Sequence, residues 1–244
     1  MNPLRSLLTP LRHTTALSLF GLSRSLSTAP QPQASTSHFL IRQPSPLATR
    51  ESPYPIIFLR APGLSHPNTP ETEDWAAWTG LLAEKGFTSV EIDVQPPPYS
   101  PTPFAAMVGV LATRIRTLAI PFPPVIVASG MGCLLCQRYI EDWGASGIVL
   151  INPPPDEDPR EDGVKEKEDW EWPKLSYEPQ FPILVMAEAG RMEELKKTNR
   201  IVRAAEAGIG RGGKGVSLEV LVDGERGDGS RVVSTDAACR EAAP

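Results

Sequence analysis

The chain is 244 residues long and carries 29 acidic against 24 basic side chains, a formal net charge of −5 with neutral histidines. No basic stripe remains that would neutralise nucleic-acid phosphates, which argues against a nucleic-acid partner. No apolar run is long enough to span a bilayer, so no transmembrane segment is expected.

The N-terminal residues differ from the rest. Before Glu51 there is no acidic side chain, while Arg5, Arg12, Arg24, Arg42 and Arg50 are spread among Ser, Thr, Leu and Ala. That is the composition of a mitochondrial presequence. Leu4, Leu7, Leu8 and Leu11 recur at helical spacing opposite Arg5 and Arg12, as in an amphipathic basic helix. Arg24-Ser25-Leu26-Ser27-Thr28 resembles a matrix-processing site, so residues 1–26 are read as the presequence and the matrix as the destination. An untargeted tail is the alternative. Residues 27–53, with a Pro-, Ser- and Gln-rich stretch from Pro30 to Pro46, are expected to form a flexible spacer.

The mature part, roughly 200 residues, fits one α/β domain over residues 54–222. Tyr54–Arg60 is a short apolar run of the buried-strand kind, stopped by Ala61-Pro62-Gly63. A helix follows from about Glu71 to Lys85, with acids in its first turn, Trp75, Trp78, Leu81 and Leu82 on one side and Gly86 at its end. Phe87–Val94 returns as a strand, followed by a proline-rich turn from Gln95 to Pro103 and a helix from about Phe104 to Leu118. Val125–Ala128 is the central strand, Gly132–Trp143 the helix behind it and Gly147–Asn152 the next strand. Residues 153–180 are acidic, proline-rich and tryptophan-bearing, a loop over the sheet's C-terminal edge. Phe181–Ala187 is a buried strand, Met192–Ala207 a helix and Val216–Val222 a last strand. Residues 223–244 read as a weakly ordered tail. The alternation predicts right-handed crossovers and a mostly parallel sheet with helices on both faces.

The segment Val125-Ile126-Val127-Ala128-Ser129-Gly130-Met131-Gly132-Cys133 carries the chemical information. It reads as a strand ending in a tight turn that feeds a helix, the elbow that lifts a nucleophile above a sheet. The strained tip requires small residues two before and two after it. Ala128 and Gly132 meet that requirement only if Gly130 is the tip; centring on Ser129 crowds Val127 and Met131.

Together these segments resemble the α/β-hydrolase superfamily over roughly residues 54–222. Arg60-Ala61-Pro62-Gly63-Leu64 resembles the strand end and oxyanion turn of that family. Glu73-Asp74-Trp75 to Gly86 and then Phe87 to Asp93 resemble its next helix and strand. Ser129 to Gln137 resembles its elbow and the helix behind, and Pro182 to Ala187 the strand before its catalytic acid. Residues 153–180 then stand as a short acidic loop in place of a cap domain. The resemblance implies backbone oxyanion donors at Leu64 and Met131.

Acyl transfer in that family needs a nucleophile, a base and an orienting acid. Gly130 supplies no nucleophile, and the three histidines, His13, His38 and His66, all precede the last strand, after which the base belongs. The fallback set is Ser129, His66 and Glu188, with Glu193 as a further carboxylate. His66 is otherwise a solvated loop residue. Cys133 and Cys136 have C-x-x-C spacing on a predicted helix without a second pair, which reads as buried small side chains rather than a metal or redox site. Gly208 to Gly215 is glycine-rich, but it follows a helix and precedes a strand, the reverse of a phosphate loop. No cofactor and no metal are expected. Trp170, Trp172 and Tyr177 read equally well as a lid or docking patch and as packing over the core. Sequence therefore points to a mitochondrial hydrolase-like protein that has lost its chemistry and binds a small acyl or anionic ligand or a protein partner. The alternative is an ester or thioester hydrolase with a displaced serine.

Overall fold

The computed structural model describes residues 33–64, 75–160, 170–177, 181–208 and 215–221. Seven strands form one sheet in the order β1-β3-β2-β4-β5-β6-β7. They are β1 (Ser35–Arg42), β2 (Ile56–Arg60), β3 (Ser89–Gln95), β4 (Val125–Ser129), β5 (Gly147–Ile151), β6 (Ile183–Glu188) and β7 (Val216–Leu221). All neighbours run parallel except β1, which is antiparallel to β3. The helices are α1 (Ala76–Glu84), α2 (Pro103–Thr117), α3 (Gly132–Asp142), α4 (Ala189–Thr198) and α5 (Arg200–Glu206).

The period-two alternation of each strand divides the core into two clusters. Ile57, Leu59, Ile92, Ile126, Ala128, Leu150 and Val185 face α2, α3, α4 and α5. Ile56, Phe58, Val127, Ile151 and Met186 face the other way, where α1 contributes Leu82 and the preceding Trp75 packs at 5.0 Å on the Phe58 ring. With both faces covered, the central strands are continuous apolar runs, which is why sequence locates them to within one or two residues.

Three expectations change. Residues 35–42 are a strand and not part of a spacer: Phe39 pairs with Ile92 and Ile41 with Val90, so a three-residue apolar centre finds a sheet edge despite its polar surroundings. The helix read from Glu71 begins at Ala76, so its acids precede it; Glu71, Glu73 and Asp74 lie outside the described residues. The single helix read over Met192–Ala207 is two. Asn199 is extended, at φ −118°, and its side-chain oxygen accepts the N–H groups of Ile201 and Val202 at 3.0 and 3.3 Å. Its amide donates to Pro154 O at 3.3 Å, so a capping residue restarts the helix where the loop after β5 crosses it. β7 is described as far as Leu221, and Val222 lies outside the described residues. Residues 1–26, most of the glycine-rich connection and the 223–244 tail lie outside the described residues.

Candidate functional site at the ends of β2 and β4

Strand order reverses at β2, which has β3 on one side and β4 on the other. Parallel sheets hold ligands at such a point, beyond the strands' C-terminal ends. Here β2 runs into the turn Ala61–Leu64 and β4 into the elbow.

Gly130 has a φ of +53°, a left-handed conformation that an L side chain occupies only at a steric cost. Its N–H donates to Ile151 O at 3.1 Å and its carbonyl accepts from Cys133 N–H at 3.0 Å, so the turn closes within one residue of β4. Two residues before it, Ala128 is wholly buried. Two after it, a Cβ on Gly132 would stand 2.8 Å from Leu59 O, closer than real Cβ atoms approach backbone oxygen. Crowding thus falls at the positions that make Gly130 the tip.

Ser129 is the last residue of β4 and pairs with Ile151. Alternation places it on the same face as Val127, the face covered by α1, and not at the tip. His38 lies on β1, with β3 and β2 between it and β4, roughly 14 Å from the elbow at ordinary strand spacing. Its Nε2 is 3.5 Å from Glu91 Oε2 instead. His66 lies outside the described residues. Glu188 ends β6 and leads into α4, two strands from β4. Glu193 is an exposed residue of α4 whose carboxylate holds Lys196 Nζ at 2.6 Å.

Of the expected pair of backbone donors, one has a partner within its own turn. Leu64 N–H donates to Ala61 O at 3.3 Å, closing the Pro62-Gly63 turn on itself. Met131 N–H, at the start of α3, is the candidate donor left. Cys133 and Cys136 are both buried free thiols. Cys133 Sγ lies 3.2 Å from Ala128 O and burial pushes the Cys136 thiol far up, so both pack as small side chains. Among the described residues no group of three or more His, Cys, Asp or Glu is placed to hold a metal ion.

Sequence reasoning missed a charged fork at this edge. Arg60, the last residue of β2, and Asp93, two residues before the end of β3, are register partners. Arg60 Nε donates to Asp93 Oδ1 at 2.8 Å and Nη2 to Oδ2 at 3.0 Å, a bidentate pair beside the turn. The two residues are 33 apart, so no local spacing in the sequence joins them. Asp93→Asn keeps the shape and removes the charge; with side chains 25% and 13% exposed, the expected loss is about 1–2 kcal/mol by urea denaturation, between surface and buried pairs. Across the crevice Asn152 follows β5 in a left-handed conformation, φ +47°, and its buried N–H donates to Met186 O at 2.8 Å.

The described residues of the loop after β5 pack against the fold. Arg160 forks onto Asp158 and lies 3.7 Å from the centre of the Trp170 ring, with Trp172 stacked on Trp170 at 5.8 Å. Phe104 of α2 meets Trp170 edge-on. Further along, Tyr177 Oη donates to Gln137 Oε1 at 3.1 Å, and Ser176 donates through N–H and Oγ to Glu141 Oε1. Burial raises the Glu141 pKa, but these bonds and Arg138 outweigh it and hold the carboxyl below its ordinary range. Both tryptophans pack against the main core cluster.

A mostly parallel sheet reversing at β2, with a tight elbow leading into α3, is the α/β-hydrolase fold. A solved structure agrees. The chain aligns with a proposed carboxylesterase from Lactobacillus plantarum at a TM-score of 0.53 and 15% identity, covering 85% of this chain and 96% of that one. It also aligns with MenH from S. aureus (TM-score 0.49, 11% identity, 75% and 89% covered) and with XC6422 from Xanthomonas campestris, a serine hydrolase without a lid (0.44, 11%, 75% and 76%). It spans less than two thirds of the length of several other matched structures. No protein-family model matches the chain, and no curated protein matches it. No helix among the described residues is long and apolar enough to cross a membrane.

Proposed function

We propose that this protein is a mitochondrial α/β-hydrolase-fold protein without acyl-transfer chemistry, one that binds a small acyl or anionic ligand at the switch point and does not turn it over. The observation that carries the reading is the elbow tip. The one position that the turn lifts above the sheet is Gly130, and it bears no side chain. Ser129, the nearest hydroxyl, sits within the ladder on the α1 face, and His38 is three strands away. What remains for a ligand is the start of α3, where helix N-terminal N–H groups favour a carbonyl or an anion. The matrix destination rests on the acid-free, arginine-bearing N-terminal segment, and a protein partner bound at the same edge is the second form of a non-catalytic role.

The test is fluorophosphonate labelling of the purified chain together with turnover of short and medium acyl esters, with Ser129→Ala as control. The expected result is neither labelling nor turnover. Labelling that Ser129→Ala abolishes would establish a displaced serine nucleophile and an ester or thioester hydrolase.

A further inference from the structure

The outer edge of β1 is open to pairing. It ends the sheet, and no strand among the described residues lies beyond it. Natural edges are usually guarded by short length, proline or a charge set in the strand. β1 is eight residues long, and its central Phe39, Leu40 and Ile41 are 39%, 37% and 42% exposed, with no charge among them. Its bulge lies at the far end, between Thr36 and His38. The opposite edge strand, β7, is guarded: Glu219 stands between Leu218 and Val220.

We propose that β1 is a homodimer interface, joining two copies antiparallel about a two-fold axis through Leu40 and fusing two seven-stranded sheets into one. The argument is self-complementarity. A two-fold perpendicular to the sheet keeps each side chain on its face, so the axis must pass through a residue. Centred on Leu40, Leu40 meets Leu40 of the second copy and Phe39 meets its Ile41. Centred on Phe39, Ile41 faces Ser37 and Leu40 faces His38; centred on Ile41, Phe39 faces Gln43 and Leu40 faces Arg42. Only the first register sets all three apolar residues against apolar ones, the pairing that cross-strand contacts reward.

The same register fixes where the charged side chains fall. His38 of one copy comes opposite Arg42 of the other. The side chains of both already converge on the largely buried Glu91 of their own copy, at 3.5 and 3.4 Å. Glu91 is the register partner of Leu40, so a carboxylate stands level with the axis in each copy and offsets the His38 and Arg42 of that copy. The other face is shielded by Arg114 of α2, whose guanidinium lies over the Phe39 ring and bonds Thr36 Oγ1 at 3.0 Å.

Sedimentation velocity of the full chain at micromolar concentration is the primary test, and a particle of twice the chain mass is expected. Leu40→Lys should weaken the dimer at least tenfold while near-UV circular dichroism stays native. Register is read by cysteine pairing in a Cys239→Ser background. Directly opposed residues place Cα atoms about 4.5–5.5 Å apart, within disulfide reach. Leu40→Cys should cross-link to itself on mild oxidation. Phe39→Cys should cross-link only when mixed with Ile41→Cys. A monomeric wild-type chain, a dimer that survives Leu40→Lys, or self-cross-linking of Phe39→Cys in place of Leu40→Cys would each overturn the proposal. The cysteine arm decides the matter if the lysine variant fails to fold.

Discussion

Gly132→Val is expected to be the most damaging substitution at the elbow, lowering stability by about 3 kcal/mol or more, at or beyond the upper end of overpacking costs. Even a bare Cβ would lie 2.8 Å from Leu59 O and 3.4 Å from Arg60 Cα. Those atoms belong to β2, which is held by β3 on one side and β4 on the other, so the strand cannot retreat. Nor can α3 withdraw, because Leu134, Leu135 and Cys136 are fully or almost fully buried against the sheet. Gly130→Ala is the informative comparison. There the cost is conformational, a left-handed φ of +53°, worth about 1–2 kcal/mol for an L residue. Urea midpoints should rank wild type above Gly130→Ala and Gly130→Ala above Gly132→Val. Equal losses at the two positions would mean that the crowding does not centre the elbow on Gly130, and the case for an empty tip would weaken with it.

The legibility of this fold in sequence follows from where each element is buried. β2, β4, β5 and β6 are sandwiched on both faces, so each is a run of consecutive apolar residues that no helix of comparable length would present. β1 has neither signal: an edge strand half exposed on both faces shows no buried run and no clean alternation, and its Pro- and Ser-rich flanks dominate the local composition. The break at Asn199 was masked for a different reason. α4 and α5 bury Met192, Leu195, Ile201 and Val202 on the same cluster, so the apolar pattern continues across a capped interruption. At the site, the reading of Gly130 as the tip needs only local spacing, because small residues at two before and two after are a local demand. The Arg60–Asp93 fork was out of reach without strand order, since the residues are 33 apart and meet only because β3 pairs beside β2. That Leu64 N–H bonds Ala61 O within the Pro-Gly turn was likewise beyond what similarity to an oxyanion turn reveals.

The second large effect is expected at Arg160. It is 7% exposed, and its guanidinium makes three short bonds: to Asp158 Oδ1 at 2.9 Å, to Asp158 Oδ2 at 2.8 Å and to Trp170 O at 2.8 Å. Its plane also lies over the Trp170 ring. Arg160→Ala removes the cation from a mostly buried carboxylate and leaves a void against two stacked tryptophans, so a loss of about 3–5 kcal/mol is expected. Arg160→Lys should recover little of it, because a point charge reproduces neither the two-pronged bond nor the stacking. Arg160→Ala should also red-shift the tryptophan emission and admit protease to the Trp170–Tyr177 segment before the sheet unfolds. These outcomes separate two meanings of the aromatic segment. If the tryptophans serve to close the core where a cap domain would otherwise begin, stability falls and the segment loosens with it. If they are a surface held ready for a ligand or partner, the melting temperature stays near that of the wild type while binding changes. The fork on Asp158, the edge-on contact with Phe104 of α2 and the bond from Glu171 N–H to Pro101 O at 2.8 Å all tie the segment to the fold, which favours the first outcome.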